Sequence, residues 1–165
     1  MTLPLRWGCG MKHKTIRVGR VCFRDPALLC GGLYLLLYFD ASGFLRLGLW
    51  AAFLHEMGHI LVYLLQKKKL PVIEVTLTGF CMRTGEELTA GQRFWLAAAG
   101  PGINFALAML CGLQLAQRTT LKVSAFWAAN LLTGLFNLLP LPPLDGAQML
   151  ESVRILFCAK HSGRK

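Results

Sequence analysis

Two stretches of this chain run for more than twenty residues without a charge. Residues 94–117 (FWLAAAGPGINFALAMLCGLQLAQ) and 123–144 (VSAFWAANLLTGLFNLLPLPPL) are 24 and 22 residues long. A helix rises about 1.5 Å per residue, so each can cross a hydrocarbon layer about 30 Å thick. Residues 44–66 form a third, mostly apolar run, interrupted by Arg46 near its start and by His55, Glu56 and His59 inside it. Residues 26–39 are a fourth apolar run of only 14 residues, which needs a thinned bilayer or an extension into 41–43 to span. Of the 165 residues 55% are hydrophobic and 16% charged, against about 25% charged in a soluble domain. The expected fold is an all-α polytopic membrane protein with about four transmembrane helices.

A net charge of +10 invites a nucleic-acid reading, but the distribution of the charge opposes it. Six basic residues (Arg6, Lys12, Lys14, Arg17, Arg20, Arg24) precede the first apolar run. Five (Lys67, Lys68, Lys69, Arg83, Arg93) lie between the second and third, and four (Arg154, Lys160, Arg164, Lys165) follow Asp145. Arg46, Arg118 and Lys122 fall in the other two connections. With four spans and a cytoplasmic N-terminus, this puts fifteen basic residues inside and three outside, the positive-inside pattern. The expected partner is therefore the lipid bilayer, with no nucleic acid. The six cysteines include no CxxC pair and read as free thiols. The basic N-terminal stretch is too long for a cleavable signal peptide.

One domain of residues 1–165 is expected: a basic cytoplasmic segment 1–25, a membrane core 26–150 and a C-terminal tail 151–165. Residues 15–23 (TIRVGRVCF) alternate as a strand does. Residues 72–78 (VIEVTLT) alternate apolar and polar side chains with period two. With a second short strand at 80–84, bracketed by Gly79 and Gly85, they predict a small membrane-associated β-hairpin between the second and third spans. Thr89 is a candidate N-cap for the third span.

The polar interruption of the second run reads HEMGH. Residues i and i+4 of a helix lie about 40° apart around its axis, so His55 and His59 project from one face. Two imidazoles placed this way suit one zinc ion, and Glu56 lies where it can take a proton from the water that zinc activates. This is the HExxH arrangement of metalloproteases. The structural alternative is a polar cluster that joins helices or lines a channel. Ionisable groups inside a span are costly, by at least about 2.5–3.5 kcal/mol for an acid, which weighs towards function.

Catalytic zinc takes three protein ligands. His13 and His161 lie near the chain ends, outside any span. The best third candidate is Asp145, in NLLPLPPLDG at residues 137–146. His59 lies about 7 residues, or about 10 Å, from the inner end of its helix, whereas Asp145 would end the fourth span. The two reach one depth only if the fourth segment bends, and Pro140, Pro142 and Pro143 supply a reason for irregular backbone. A proline-rich turn closed by a helix-capping Asp is the structural alternative.

These residues resemble the site-2 protease family of intramembrane zinc metalloproteases. HEMGH is similar to the family's HExxH, NLLPLPPLDG to its Asn-proline-Asp-Gly motif, and AAAGPGINFALA (residues 97–108) to its Gly-Pro-x-x-Asn segment. The resemblance covers about residues 44–150. It implies that His55, His59 and Asp145 bind one zinc ion and that Glu56 is the general base. It implies that Asn137 positions substrate or stabilises the oxyanion. Asn104, with Gly100 and Pro101, looks structural, a helix–helix contact beside small Gly100 and Gly102. Family members receive an unwound substrate strand on the hairpin region after the second span, so residues 72–84 are a candidate substrate edge. The chain departs from the common pattern in having about four spans rather than six and Ala147 where a second Gly is common. It shows no PDZ insertion and no C-terminal nucleotide-sensing domain. Its compact, basic form resembles the sporulation-type bacterial branch. The implied function is regulated intramembrane proteolysis in a bacterial cell membrane, with the site towards the cytoplasm and a regulatory membrane partner. A membrane zinc transporter and a catalytically silent scaffold are the alternatives.

Overall fold

The computed structural model describes residues 15–18, 21–76, 79–83 and 87–162. The order is β1 (Thr15–Val18), β2 (Val21–Arg24), α1 (Pro26–Tyr38), α2 (Phe44–Lys67), β3 (Val72–Thr76), β4 (Gly79–Arg83), α3 (Ala90–Gln117), α4 (Leu121–Asn137) and α5 (Asp145–Ser162). Arg6, Cys9, Lys12, Lys14, Arg20, Gly85, Arg164 and Lys165 lie outside the described residues. Cys22, Cys30, Cys111 and Cys158 are free thiols.

The hairpin expected after the second span is present, with β3 and β4 antiparallel and Val75 opposite Phe80. It is half of a larger sheet. β1 and β2 form a second antiparallel hairpin, and β2 runs parallel to β3, with Cys22 beside Glu74. The sheet order is β1-β2-β3-β4. Parallel neighbours need a crossover, and the α1–α2 pair supplies it: the chain leaves the sheet along α1 and returns along α2. Both strand pairs therefore lie at one end of the helices. β3 is paired on both sides, which leaves β4 as the open edge of its hairpin.

Among the described residues, α2 and α3 are long and apolar enough to cross a membrane. Helix α1 starts at Pro26, where a missing N–H costs nothing, and has 13 residues, about 20 Å. Asp40 opens α2: its carboxylate accepts from the backbone N–H of Leu45 (3.3 Å) and Arg46 (3.1 Å). Thr89 caps α3 as expected, in a reciprocal capping box with Gln92.

The fourth segment departs from its sequence reading. α4 stops at Asn137 after 17 residues instead of continuing to 144. Residues 138–144 form an irregular turn that contains a cis Pro142–Pro143 bond. Three prolines withhold backbone donors and disfavour helix in the residue before each. Asp145 opens α5 rather than ending a span, and α5 extends as helix through most of the segment read as a tail.

The interior mixes polar side chains with small and apolar ones, and much of the outside is apolar. The largest fully buried side chains are Asn104, Asn130 and Ser152. Leu28, Tyr34, Tyr38 and Phe39 around α1, Leu65 on α2 and Met109 and Leu113 on α3 are all more than half exposed. A soluble chain with this much apolar surface would associate or precipitate. A chain solvated by lipid gains nothing by hiding leucines, and instead uses small residues and interhelical polar bonds to hold its helices together.

Candidate active site

The site forms where α2, α3 and the start of α5 meet. HEMGH sits in the middle of α2, and one helical turn places the two imidazoles 4.8 Å apart between ring centroids. His55 is buried and His59 half-buried. Their Nε2 atoms face each other at 3.1 Å. Asp145, ninety residues on, brings Oδ2 to 3.0 Å from His55 Nε2 and 3.3 Å from His59 Nε2. All three ligand atoms lie within 4.8 Å of one another. The early end of α4 and the proline turn deliver Asp145 to the depth of the histidines.

The opposite side of each ring decides what the cluster is for. His55 Nδ1 lies 3.2 Å from Asn104 Oδ1, and His59 Nδ1 lies 2.8 Å from the carbonyl oxygen of Leu96. With the amide oxygen facing His55, both partners are acceptors, so each neutral imidazole can donate its single N–H there. Both Nε2 atoms then face inward as lone pairs, beside a carboxylate. Three ligand atoms converging in this way could hold a metal ion between them. The outer bonds are those that orient metal-binding histidines elsewhere, and a two-nitrogen, one-oxygen donor set suits zinc.

Three glycines make room for this arrangement. A Cβ on Gly100 of α3 would fall 2.6 Å from His55 Cε1 and Nε2 and would also collide with His59 Nε2. One on Gly58 would fall 2.8 Å from the Ala99 carbonyl oxygen. One on Gly146 would strike the carbonyl of Leu138, so the turn that delivers Asp145 closes only over glycine. Pro101 is buried inside α3, which continues through it.

Glu56 lines a cavity of about 1480 Å³, which His55 also lines. Leu33 and Leu36 of α1 wall one side, Phe53 of α2 another, and Val75 of β3 reaches its edge. Asn137 lines the same cavity from the last turn of α4. Its Nδ2 donates to the Thr133 carbonyl at 3.0 Å, and it makes no bond to His55, His59 or Asp145. Asn104, read from the sequence as a helix–helix contact, is one, because its Nδ2 donates to the Ala51 carbonyl on α2. It also touches a predicted ligand, which the sequence reading did not foresee. The Leu96 carbonyl was invisible to sequence reading, because a backbone oxygen leaves no residue signature.

No family model matches the chain. It is 33% identical over 130 residues to a Mycobacterium tuberculosis protein named "Putative zinc metalloprotease Rip3", covering 67% of this chain and 33% of that one. It is also 33% identical over 105 residues to "Putative zinc metalloprotease sll0528" of Synechocystis sp., covering 60% and 28%. The structure titled "Site-2 Protease from Methanocaldococcus jannaschii" matches with a TM-score of 0.59 and 20% identity, over 85% of this chain and 71% of that one. The chain is similar in sequence to proteins named putative zinc metalloproteases and in fold to a site-2 protease. Within this fold, α2 and the start of α5 carry all three residues of the His55, His59 and Asp145 group. The chain spans about a third of the length of the curated relatives it matches.

Proposed function

We propose that this chain is a zinc-dependent intramembrane endopeptidase that cuts transmembrane or membrane-proximal segments of other membrane proteins. The observation that carries the reading is the convergence of His55 Nε2, His59 Nε2 and Asp145 Oδ2 beside a large apolar cavity that Glu56 lines. His55, His59 and Asp145 would hold the ion. When bound, zinc supplies the Lewis acidity that makes water nucleophilic near neutral pH.

The other steps belong to the chain. Glu56 accepts the proton of the attacking water and passes it to the leaving amine. Asn137, on the cavity wall, keeps a second amide N–H after bonding Thr133, and offers it to the scissile carbonyl. The apolar cavity wall accepts an apolar segment. That segment must unwind first, because a helix commits its carbonyls to internal hydrogen bonds. With β3 paired on both sides, an unwound strand would extend the sheet at β4. In the same reading α1 and α4 cross the bilayer with α2 and α3, and the sheet lies on the cytoplasmic side with the basic connections. Substrate release to a signalling pathway and control by a membrane partner complete the proposal.

The test is cleavage of a transmembrane-segment library by zinc-loaded protein in lipid nanodiscs. Wild type should cut apolar segments, and Glu56→Gln should retain zinc and lose cleavage. A Glu56→Gln protein that cuts at the wild-type rate would sink the mechanism. Zinc flux in proteoliposomes unaffected by that substitution would indicate a carrier instead.

A further inference from the structure

Asn104 is 0% exposed, in the middle of α3. A carboxamide so placed is costly unless bonded at both ends. Both ends are committed to α2. Nδ2 donates to the carbonyl of Ala51 in a long bond of 3.5 Å, and Oδ1 faces His55 Nδ1 at 3.2 Å. Ala51 lies one helical turn before His55 on the same helix and is itself fully buried.

Those two contacts fix which way the amide points. A backbone carbonyl can only accept, so the amide nitrogen belongs on Ala51 and the oxygen on His55. The oxygen in turn can only accept, so the bond to Asn104 holds a proton on His55 Nδ1, in competition with Asp145 Oδ2 at 3.0 Å from Nε2. Helix α4 holds the side chain there: a Cβ on Gly134 would already lie 3.4 Å from Asn104 Cβ, so α4 lies against it.

We propose that Asn104 is a positioning residue that sets the tautomer of His55 before any metal arrives, so that Nε2 meets the cation as a bare lone pair. Neutral imidazole in water favours the Nε2–H tautomer. Without Asn104 the proton would sit on the atom that must bind. His59 has no such dependence on a side chain, because its Nδ1 partner is the backbone carbonyl of Leu96. The two histidines are therefore prepared differently, one by backbone and one by a side chain that substitution can remove. The inference rests on the metal-site reading above.

The experiment is ¹⁵N NMR of imidazole-labelled, metal-free full-length protein in nanodiscs, above the titration range of histidine. Zinc affinity is measured on the same samples by chelator competition. In wild type, His55 should be the Nδ1–H tautomer. In Asn104→Leu, His55 should move to Nε2–H while His59 keeps its signal, and zinc affinity should fall about 10–100-fold, as for lost partners of other metal ligands. Asn104→Asp keeps an acceptor, and should keep the Nδ1–H tautomer and recover most of the affinity. Asn104→Leu with wild-type tautomer and affinity would overturn the proposal, as would Asn104→Asp as impaired as Asn104→Leu. Should Asn104→Leu fail to fold, wild type still decides, because an Nε2–H His55 in the metal-free protein overturns it. Wild type that binds no zinc sinks the metal-site reading itself, whereas zinc-binding wild type matched by Asn104→Leu sinks only the role of Asn104.

Discussion

Replacing Gly100 with Ala tests how closely α3 must approach the two histidines. The added methyl would sit 2.6 Å from His55 Cε1 and Nε2, where carbon contacts are comfortable at about 3.5–4.0 Å. About 1 Å must be found, by moving the imidazoles or by moving α3. For stability two effects nearly cancel. Ala is favoured over Gly inside a helix by about 1 kcal/mol, and overpacking costs about 1–3 kcal/mol. The net loss is at most about 2 kcal/mol. Function has no such offset. A misplacement of about 1 Å at a reacting centre costs about 10²-fold, or about 2.7 kcal/mol of barrier. Gly100→Ala should therefore fold, bind zinc more weakly and cleave about 100-fold more slowly. Gly102→Ala is the control, because a Cβ there meets nothing within 4 Å, and it should match wild type. Zinc affinity by chelator competition and single-turnover cleavage read the two effects. Full affinity and full rate in Gly100→Ala would refute the packing reasoning.

Gly58→Ala presses a methyl against the Ala99 carbonyl and to 3.1 Å from Ile103 Cδ1, and should lower stability by about 1–3 kcal/mol. Gly48→Ala, on the same helix with nothing within 4 Å, should be neutral or stabilising, and thermal unfolding in detergent compares the two. Gly146→Ala should reduce zinc affinity by displacing Asp145, since its methyl strikes the Leu138 carbonyl; chelator competition reads it. At the start of α2, burial works against ionisation of Asp40, but the N–H groups of Arg46 and Leu45 and the hydroxyl of Ser42 outweigh it, so the carboxyl sits below its ordinary value of 3.8. A depressed folded value stabilises the protein above the ordinary carboxylate value, and that contribution is lost as pH falls through the folded value. Asp40→Ala should lower the melting temperature at neutral pH and shrink its decline on acidification.

The sequence made α2 and α3 legible because length and hydropathy act through one helix at a time. The hairpin of β3 and β4 was equally local, with period-two alternation bounded by glycine. The parallel pairing of β2 with β3 was not legible, since it depends on α1 and α2 returning the chain to one side. Nor was the early end of α4. Its run of apolar residues reads as unbroken by hydropathy; Pro140, Pro142 and Pro143 gave a reason for a bend there, but not the residue at which the helix ends. That turn lifts Asp145 to the level of His59, which hydropathy alone could not place. At the site, HEMGH and Asp145 declared themselves by residue type. Asn104 was legible as a polar residue in an apolar span, but its contact with His55 depends on the rotation of α3 against α2, which Gly58 and Gly100 permit.

The most direct test of the metal site is zinc-edge X-ray absorption on the purified protein, with zinc counted per chain. The account predicts one zinc per chain, bound through two imidazole nitrogens and a carboxylate oxygen, with the carboxylate contribution lost in Asp145→Ala. Absence of zinc from freshly purified protein, sulfur ligation, or an unchanged spectrum in Asp145→Ala would contradict it.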